Sequence, residues 1–308
     1  MRDYLAIPEA AGTAVIVNEV GEIGLDGAVL SESNAGLRMA MLANGCVCCM
    51  LGSDLAMTVE QLLDSSAAPL RRIVLETSGL SKPGPILRGL ASLAALRLRV
   101  SVVATFDCLH WSDVSGFEEA AAQWGGAQAL VLTRHDVATP AQVAAARDAA
   151  QSVNPLADII DCDDRRAGTR AAFAPRPPAA TILPDVAGPA HPRIAVMLVR
   201  WTTQPSWDDL AAWLDNLAGL LGERLLRVKG VVAVADSEHA LLVQSVGTTF
   251  SAPRRFAVPA DGPFLVVIAR DASANEVAGV TPIMPIGITL LGTPDPFARR
   301  AVGSLRAF

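Results

Sequence analysis

The sequence has no block of like charge and no long apolar run. Its 308 residues carry a formal net charge of −6, so it lacks the basic surface that attracts nucleic acids and anionic lipids. The most apolar late stretch, residues 277–292, contains Pro282 and Pro285 and is too short to cross a bilayer. The first residues, MRDYLAIPEAAG, carry charges of both signs and lack the apolar core of a secretion signal. These absences predict a cytoplasmic globular protein with no nucleic-acid partner and no membrane partner.

Lysine is scarce as well. Lys82 and Lys229 are the only two lysines, and neither follows a glycine-rich turn between a strand and a helix. The printed residues therefore contain no loop of the form GxxxxGK[ST], in which backbone N–H groups and a lysine hold nucleotide phosphates.

Cysteine is rare but clustered. Only five cysteines occur, and three of them, Cys46, Cys48 and Cys49, lie in the segment NGCVCC at 44–49. A reducing cytosol disfavours structural disulfides, so clustered thiols there indicate metal binding or redox chemistry. Thiolates favour Zn²⁺, Co²⁺ or Cu⁺ over Mg²⁺ and Ca²⁺. The alternatives are simple burial of small apolar side chains, which we expect for the isolated Cys108 and Cys162, and a thiol redox centre, which the CxCC spacing disfavours.

The first two-thirds of the chain alternates strand and helix patterns. Apolar runs that end in polar residues occur at 13–19, 72–76, 100–107 and 129–136. Such runs are typical of buried parallel strands whose carboxyl ends line a site. The sequence therefore predicts an α/β fold with its chemistry at those strand ends.

Helix starts are marked by capping residues. Ser53 is the predicted N-cap of a helix with Leu55, Val59 and Leu62 on its apolar face. Thr139 is the predicted N-cap of a second helix, with Pro140 at its first position and Gln142 completing a capping box.

Composition divides the chain into two domains. A proline- and alanine-rich stretch at 171–192 is a predicted linker, which leaves domains at 1–170 and 193–308. The second domain begins with a strand and then a helix whose apolar stripe runs along one face. A predicted hairpin follows, with its turn at Asp236 to His239. This pattern is typical of a small α+β domain.

Four segments occur in a particular order: IVNEVGEIGLD at 16–26, NGCVCC at 44–49, ETSGLSKP at 76–83 and LTRHD at 132–136. In that order they resemble the CobW family of GTP-dependent metal chaperones, related to HypB and UreG. The stretches RVKGVV and LLVQSVG resemble the family's C-terminal domain. The resemblance covers nearly the whole chain and implies a mostly parallel, P-loop-NTPase-like sheet, without its first strand and P-loop, followed by a smaller α+β domain.

The resemblance also implies nucleotide-binding residues. Glu76 takes the catalytic position, where an acid can hold a water bound to Mg²⁺, and Thr77, Ser78 and Gly79 lie near the terminal phosphate. Thr133, Arg134 and Asp136 form the base-binding segment. The carboxylate of Asp136 can accept from guanine N1–H and N2–H, which adenine does not offer. Arg134 stands where the family has lysine, and the segment SVNPLADI at 152–159 is a weak match to an element near the base.

The same resemblance gives a metal site. Its thiolate ligands are Cys46, Cys48 and Cys49, and its further candidate ligands are Glu19, Glu22 and His110, with Asp26 in the same acidic segment. A solvated loop face is the alternative for the acidic residues, and a lone histidine at a strand end carries little weight by itself.

These features predict a GTP-dependent metallochaperone that binds zinc or cobalt, uses GTP and Mg²⁺, and delivers the metal to a client metalloprotein through its C-terminal domain. The alternative is a metal-binding scaffold that contacts a client without hydrolysing GTP. We expect an in-frame GxxxxGK[ST] segment roughly 15 to 25 residues before Met1, the length of a helix and its preceding turn. Without that segment, GTP binding is expected to be weak.

Overall fold

The computed structural model describes residues 1–18, 38–41, 51–64, 69–176, 191–281 and 284–292. Within these ranges lie two three-stranded parallel sheets and one seven-stranded antiparallel sheet. The predicted α/β class and its division into parallel and antiparallel parts are confirmed.

The first parallel sheet is built on a fully buried central strand. Its strands are β1 (Thr13–Asn18), β2 (Arg38–Met41) and β3 (Arg72–Thr77), in the order β2-β1-β3. In β1, Ala14 to Val17 are each at most 2% exposed, which explains the continuous apolar run in the sequence. Helices α2 (Leu51–Asp64) and α3 (Pro83–Gly89) pack on one face, and α1 (Arg2–Leu5) packs on the other.

The second parallel sheet follows in the chain. Its strands are β4 (Val103–Asp107), β5 (Ala129–Thr133) and β6 (Asp158–Ile160), and its helices are α4 (Trp111–Val114), α5 (Glu118–Gly126), α6 (Pro140–Val153) and α7 (Arg165–Phe173). Among the described strands, β3 pairs only with β1 and β4 only with β5. The six strands therefore form two sheets where the sequence predicted one.

One predicted helix start is confirmed and one is wrong. Thr139 and Gln142 form the expected capping box at the start of α6. Helix α2 begins at Leu51, two residues before the predicted N-cap Ser53. Buried side chains such as Leu55 fix the face of a helix but not its first turn, and an N-cap contributes only about 1 kcal/mol.

The antiparallel sheet makes up most of the C-terminal part. Its strands are β7 (Ile194–Trp201), β8 (Leu225–Val232), β9 (Ala240–Val246), β10 (Thr249–Phe250), β11 (Arg254–Phe256), β12 (Phe264–Arg270) and β13 (Ile286–Leu291). The strand order is β10-β9-β8-β12-β7-β13, and β11 also pairs with β9. The predicted hairpin is the β8–β9 pair.

Helix α8 (Trp207–Leu221) covers one face of this sheet. Its predicted apolar stripe is buried throughout: Leu210, Trp213, Leu214, Leu217 and Leu221. Trp201 and Trp207 are half-buried against the same cluster. A short helix, α9 (Ala274–Ala278), lies beside β13.

The other face of the antiparallel sheet packs against α5 and α6. Phe264, Val266 and Ile268 share one hydrophobic cluster with Phe106 and Trp124. The two parts of the chain therefore share a core. Helix α7 covers 171–173, the first residues of the predicted linker, and 177–190 lie outside the described residues.

No helix in the described part of the chain is long and apolar enough to cross a membrane.

One buried and one partly buried cation lie on β8 beside this shared core, Arg227 and Lys229. Arg227 is 4% exposed and donates from its guanidinium to the carbonyl of Ala127. Burial, reinforced by the charge of Arg227 and opposed by Asp158, lowers the pKa of Lys229 to about 8 from its ordinary 10.5. The backbone of Lys229 takes part in the β8 ladder, but no hydrogen bond or ion pair joins its side chain to any described residue. The folded state therefore holds this proton less tightly than the unfolded chain does.

Replacing Lys229 with methionine is expected to stabilise the protein at pH 7 by about 1 to 3 kcal/mol, because it removes a poorly compensated buried charge. Between pH 8 and 10.5 the unfolded wild type binds more protons than the folded form does, so the free energy of unfolding of the wild type rises with pH in that window. Below pH 8 the charge of Lys229 destabilises the folded wild type to its full extent. Chemical denaturation of the wild type and the variant at pH 7 and pH 9.5 measures both effects.

The other lysine is the matched control. Lys82 lies 2.7 Å from Glu118 Oε1 and 3.1 Å from Glu223 Oε2. Partial burial acts to lower its pKa, but these two hydrogen bonds outweigh burial and raise it. Lys82→Met should therefore lower the free energy of unfolding by about 0.5 to 1 kcal/mol. A Lys229→Met variant less stable than the wild type at pH 7 would contradict the assignment of a buried uncompensated charge.

Candidate functional site

Polar side chains gather where the parallel strands end, as the sequence predicts. Glu76 and Thr77 end β3, Asp107 ends β4 and Thr133 ends β5. In a parallel sheet these carboxyl ends lie on one edge, so each sheet presents its polar residues together.

The end of β3 carries an acid without a partner. The Oε2 atom of Glu76 is buried and makes no hydrogen bond to any described residue. Buried polar atoms are nearly always paired in native proteins, and unpaired ones mark strain, a bound ligand or an ion. The donor set is a carboxylate followed by hydroxyls, which suits a hard cation such as Mg²⁺. The residues present therefore fit the group that the sequence predicted.

A tight turn from Ser78 to Ser81 follows β3, which ends at Thr77. Thr77 is exposed, and the Ser78 hydroxyl lies 3.1 Å from that of Ser81, whose backbone N–H donates to Ser78 O at 3.0 Å. A Cβ added at Gly79 would meet nothing within 4 Å. The space beside Gly79 is open, so no packing contact requires glycine there and a ligand can approach the backbone closely.

This turn is attached to helix α5. The amide nitrogen of Gln123 donates to Gly79 O at 2.8 Å and to Ser81 O at 2.9 Å. The next residue, Lys82, pairs with Glu118 of the same helix and with Glu223 of the C-terminal part. The second oxygen of Glu118, Oε2, lies 2.7 Å from Arg270 Nη1. The pKa of Glu118 is lowered by Lys82 first and then by Arg270. The segment ETSGLSKP is therefore linked by charge to the antiparallel sheet.

The ends of β4 and β5 form a second polar group. Arg134 Nε lies 3.3 Å from Asp107 Oδ2, and the backbone N–H of Cys108 donates to Thr133 O at 3.2 Å. Strand β5 stops at Thr133 because Arg134 has a φ of 64°, in the left-handed region that an extended strand does not use. The predicted strand, which ran to 136, is therefore three residues too long.

Asp136 is exposed, and no hydrogen bond or ion pair joins it to any described residue. Its carboxylate is available to a ligand. Thr133, Arg134 and Asp136 stay a predicted base-binding segment, in which Arg134 is held by an acid from the neighbouring strand.

Asn154, in the weakly matching segment at 152–159, has a structural role behind this group. It is fully buried, and its side-chain amide donates to the carbonyls of Trp124, Gly125 and Ala127 at 2.7 to 3.1 Å. It fixes the connection from α5 into β5.

The predicted metal site lies almost wholly outside the described residues. Cys46, Cys48, Cys49, Glu19 and Glu22 all fall in ranges without a described position. His110 is described: it is exposed, and its Nδ1 lies 3.0 Å from Asp113 Oδ2. In the described ranges no group of three or more His, Cys, Asp or Glu side chains is arranged to hold a metal ion. The six-residue metal set stays a prediction.

Three contacts at the site have no local signal in the sequence. Asp107 pairs with Arg134 across neighbouring strands, and His135 of the LTRHD segment contacts Asp161 and Asp163 beyond β6. Each pair joins residues at least 26 positions apart, and only the strand order brings them together.

Comparisons with known proteins agree with this architecture. A family model described as CobW/HypB/UreG, nucleotide-binding domain, matches residues 1–161, and a model of the cobalamin synthesis protein cobW C-terminal domain matches residues 194–279. The zinc chaperone YjiA of Escherichia coli is 27% identical over 256 residues, which cover 78% of this chain and 78% of that protein.

Two further relatives match over shorter segments. The zinc chaperone CobW of Pseudomonas aeruginosa is 38% identical over 95 residues, which are 29% of this chain and 25% of that protein. The zinc-regulated GTPase metalloprotein activator 1 of Schizosaccharomyces pombe is 26% identical over 170 residues, which are 52% and 41% of the two chains.

A solved structure shares the fold. The crystal structure of the Zn(II)-bound YjiA GTPase from E. coli aligns with a TM-score of 0.63 at 19% identity, covering 91% of this chain and 93% of that one. Because the nucleotide-binding-domain model matches residues 1–161 of 308, more than half of the sequence, the chain belongs to the CobW/HypB/UreG family.

Proposed function

We propose that this protein is a GTP-dependent metallochaperone that binds zinc or cobalt through Cys46, Cys48 and Cys49 and delivers the ion to a client metalloprotein. Family membership supports the proposal, as do relatives described as zinc chaperones and as zinc-regulated GTPase metalloprotein activators.

The observation that carries the nucleotide part is the unpartnered acid at the end of β3: Glu76 has a buried carboxylate oxygen with no described hydrogen-bond partner. Asp136, three residues after β5, is exposed and makes no described hydrogen bond or ion pair, and the charge of Arg165 acts on it from a distance. Surface acids are commonly solvated, but a buried unpaired carboxylate oxygen costs free energy unless a ligand or ion satisfies it. These two acids suit a ligand that carries a bound cation at one end, for Glu76, and N–H donors at the other end, for Asp136.

At the phosphate end, Glu76 would hold a water of the Mg²⁺ shell, and the turn formed by Thr77, Ser78 and Gly79 would lie beside the terminal phosphate. When bound, Mg²⁺ supplies charge neutralisation for the phosphate oxygens. The open space at Gly79 lets backbone N–H groups approach them.

At the base end, Asp136 would accept the two N–H groups of guanine. Arg134 is held by Asp107, so its guanidinium plane is kept close to the segment that reads the base. Thr133 lies at the end of β5 and positions the turn that follows.

In the metal site, Glu19, Glu22 and His110 are the proposed additional ligands beside the three thiolates. We also propose that the region after residue 193 contacts the client. The ion pairs from Lys82 to Glu223 and from Glu118 to Arg270 offer a physical link between the nucleotide site and that region.

The test is whether nucleotide changes metal affinity in the full-length protein. The zinc dissociation constant should be measured by chelator competition with GTP, GDP or ATP present, each with Mg²⁺. We expect it to differ at least about fivefold between the GTP and GDP states, the size of a typical coupling between two sites, and to be unaffected by ATP. At saturating nucleotide, Glu76→Gln should abolish the difference in zinc affinity between the GTP and GDP states, whereas Glu60→Gln, at an exposed position on α2, should keep it.

Two outcomes would count against the proposal. Zinc affinity that is the same with every nucleotide, together with no GTP turnover, would favour the non-hydrolysing scaffold. A reversible disulfide with no metal binding would favour a thiol redox protein.

A further inference from the structure

The turn that carries Asp136 is attached at three points: Arg134 pairs with Asp107, Ala138 packs against the shared core, and His135, directly before Asp136, has a nearly buried side chain. In the segment 134–138, the carbonyl of Arg134 accepts from the backbone N–H groups of Val137 at 3.3 Å and Ala138 at 3.0 Å. Asp136 and Val137 are exposed, but the side chain of His135 between Arg134 and Asp136 is only 11% exposed. The direction of Asp136 therefore depends on how His135 is held.

His135 lies between two acids from the segment after β6. Its Nε2 is 3.0 Å from Asp161 Oδ1, and its Nδ1 is 3.2 Å from Asp163 Oδ1. The Asp161 side chain is 12% exposed and also pairs with Arg147 of α6, whereas the Asp163 side chain is 99% exposed. The Nε2 contact has ion-pair distance without hydrogen-bond alignment. The printed hydrogen bond of the ring joins Nδ1 to Asp163 Oδ1, but water can replace a partner whose side chain is 99% exposed. Asp161 is nearly buried against the ring and is itself held by Arg147, so Asp161 is the contact that the fold keeps in place.

The anchor matters because the turn begins in a costly conformation. Arg134 has a φ of 64°, a backbone conformation that residues other than glycine, asparagine and aspartate rarely adopt. Such conformations persist when the surrounding structure holds them. Arg134 is held by Asp107 on one side, and His135 is held by Asp161 and Arg147 on the other. These contacts hold Arg134 and His135, the two residues that the first peptide bond of the turn joins.

We propose that His135, anchored by Asp161, is a positioning residue that fixes the carboxylate of Asp136 for guanine recognition. This inference rests on the proposed function, in which Asp136 reads the base. Recognition of both guanine donors requires two aligned hydrogen bonds, and such bonds weaken steeply as they lose alignment. His135 does not touch the base: it determines where the acid that does so points.

The experiment measures base discrimination in the full-length protein. The dissociation constants of GDP, IDP and ADP are determined by ligand-observed NMR, since IDP lacks only the exocyclic amino donor of guanine. We expect the wild type to prefer GDP over IDP by about tenfold or more. His135→Gln and Asp161→Asn should reduce that preference to within about twofold, because a misaligned pair no longer distinguishes the bases.

Matched variants separate positioning from stability. Asp163→Asn removes the exposed acid on the same histidine and should keep the wild-type preference. Asp161→Glu restores a carboxylate and should recover most of it. Amide hydrogen exchange should show faster exchange confined to 134–138 in His135→Gln, with thermal unfolding close to that of the wild type.

Each result decides between the possibilities. A wild type that binds GDP no better than ADP contradicts guanine reading in the proposed function, and this inference with it. A wild type that prefers GDP, together with His135→Gln and Asp161→Asn variants that keep the preference, overturns this inference alone. Variants that bind all three nucleotides equally more weakly and unfold at a lower temperature also overturn it, because that pattern indicates a purely structural histidine.

Discussion

Replacing Gly230 with alanine is expected to destabilise the protein by about 3 to 5 kcal/mol. Gly230 lies in β8 and pairs with Leu265 of β12 and Val243 of β9. A Cβ at this position would overlap the carbonyl oxygen of Phe264 and lie 2.7 Å from Leu265 Cα. These are backbone atoms of a central strand, so no side-chain rotation relieves the overlap.

The neighbouring strand has no room to move. Phe264 and Leu265 are fully buried, and they belong to different clusters, one shared with the second parallel sheet and one beneath α8. A shift of β12 would therefore disturb both cores. We expect the Gly230→Ala variant to lose stability as a single unit, with the parallel sheets unfolding together with the C-terminal sheet.

Gly287→Ala provides the matched control. Gly287 is exposed in β13, which pairs only with β7 among the described strands, and a Cβ there would meet nothing within 4 Å. Surface substitutions of this kind change stability by no more than about 0.5 kcal/mol. Urea denaturation followed by far-UV circular dichroism compares the two variants. Similar midpoints for both would show that β8 and β12 are less closely packed than the structure indicates.

Local patterns in the sequence predicted the elements that local chemistry determines. The apolar runs gave β1, β3, β4 and β5, and Thr139 with Gln142 gave the start of α6. The stripe of α8 was correct because a helical period of 3.6 residues leaves one face to bury. The prediction of polar residues at the strand ends was also correct, because parallel strands are buried along their length and become accessible only where they end.

Features that depend on distant pairing could not be predicted. The separation of the parallel strands into two sheets depends on which edges pair, and a strand's own sequence does not encode its neighbour. The core shared by Phe106 and Phe264 joins residues from opposite halves of the chain. The predicted linker suggested two independent domains, but composition alone cannot show that two sheets will pack on the same helices.

The candidate site shows the same division. Glu76 and Asp136 were identified from motifs, and the structure adds that one has a buried unpartnered oxygen and the other is free. The supports of the base-binding segment emerged only from the structure: Asp107, at the end of β4, holds Arg134, and Asp161, just after β6, contacts His135. The cysteine cluster, outside the described residues, stays a prediction from the sequence.

Replacing Cys46, Cys48 and Cys49 together with serine is expected to abolish high-affinity metal binding. A serine hydroxyl stays protonated and is a poor ligand for Zn²⁺ and Co²⁺, whereas thiolates bind both strongly. Since the ligands must lose protons, binding should release protons and weaken below neutral pH. The Cys162→Ser variant, at a half-buried cysteine outside the cluster, is the control and should bind as the wild type does.

A Co²⁺ titration of the wild type and the triple serine variant tests the metallochaperone account most directly. We expect thiolate-to-cobalt absorption that saturates near about one equivalent in the wild type and in Cys162→Ser, and no such absorption in the triple variant. A wild type without thiolate-to-cobalt absorption, or a triple variant with an unchanged spectrum, would contradict it.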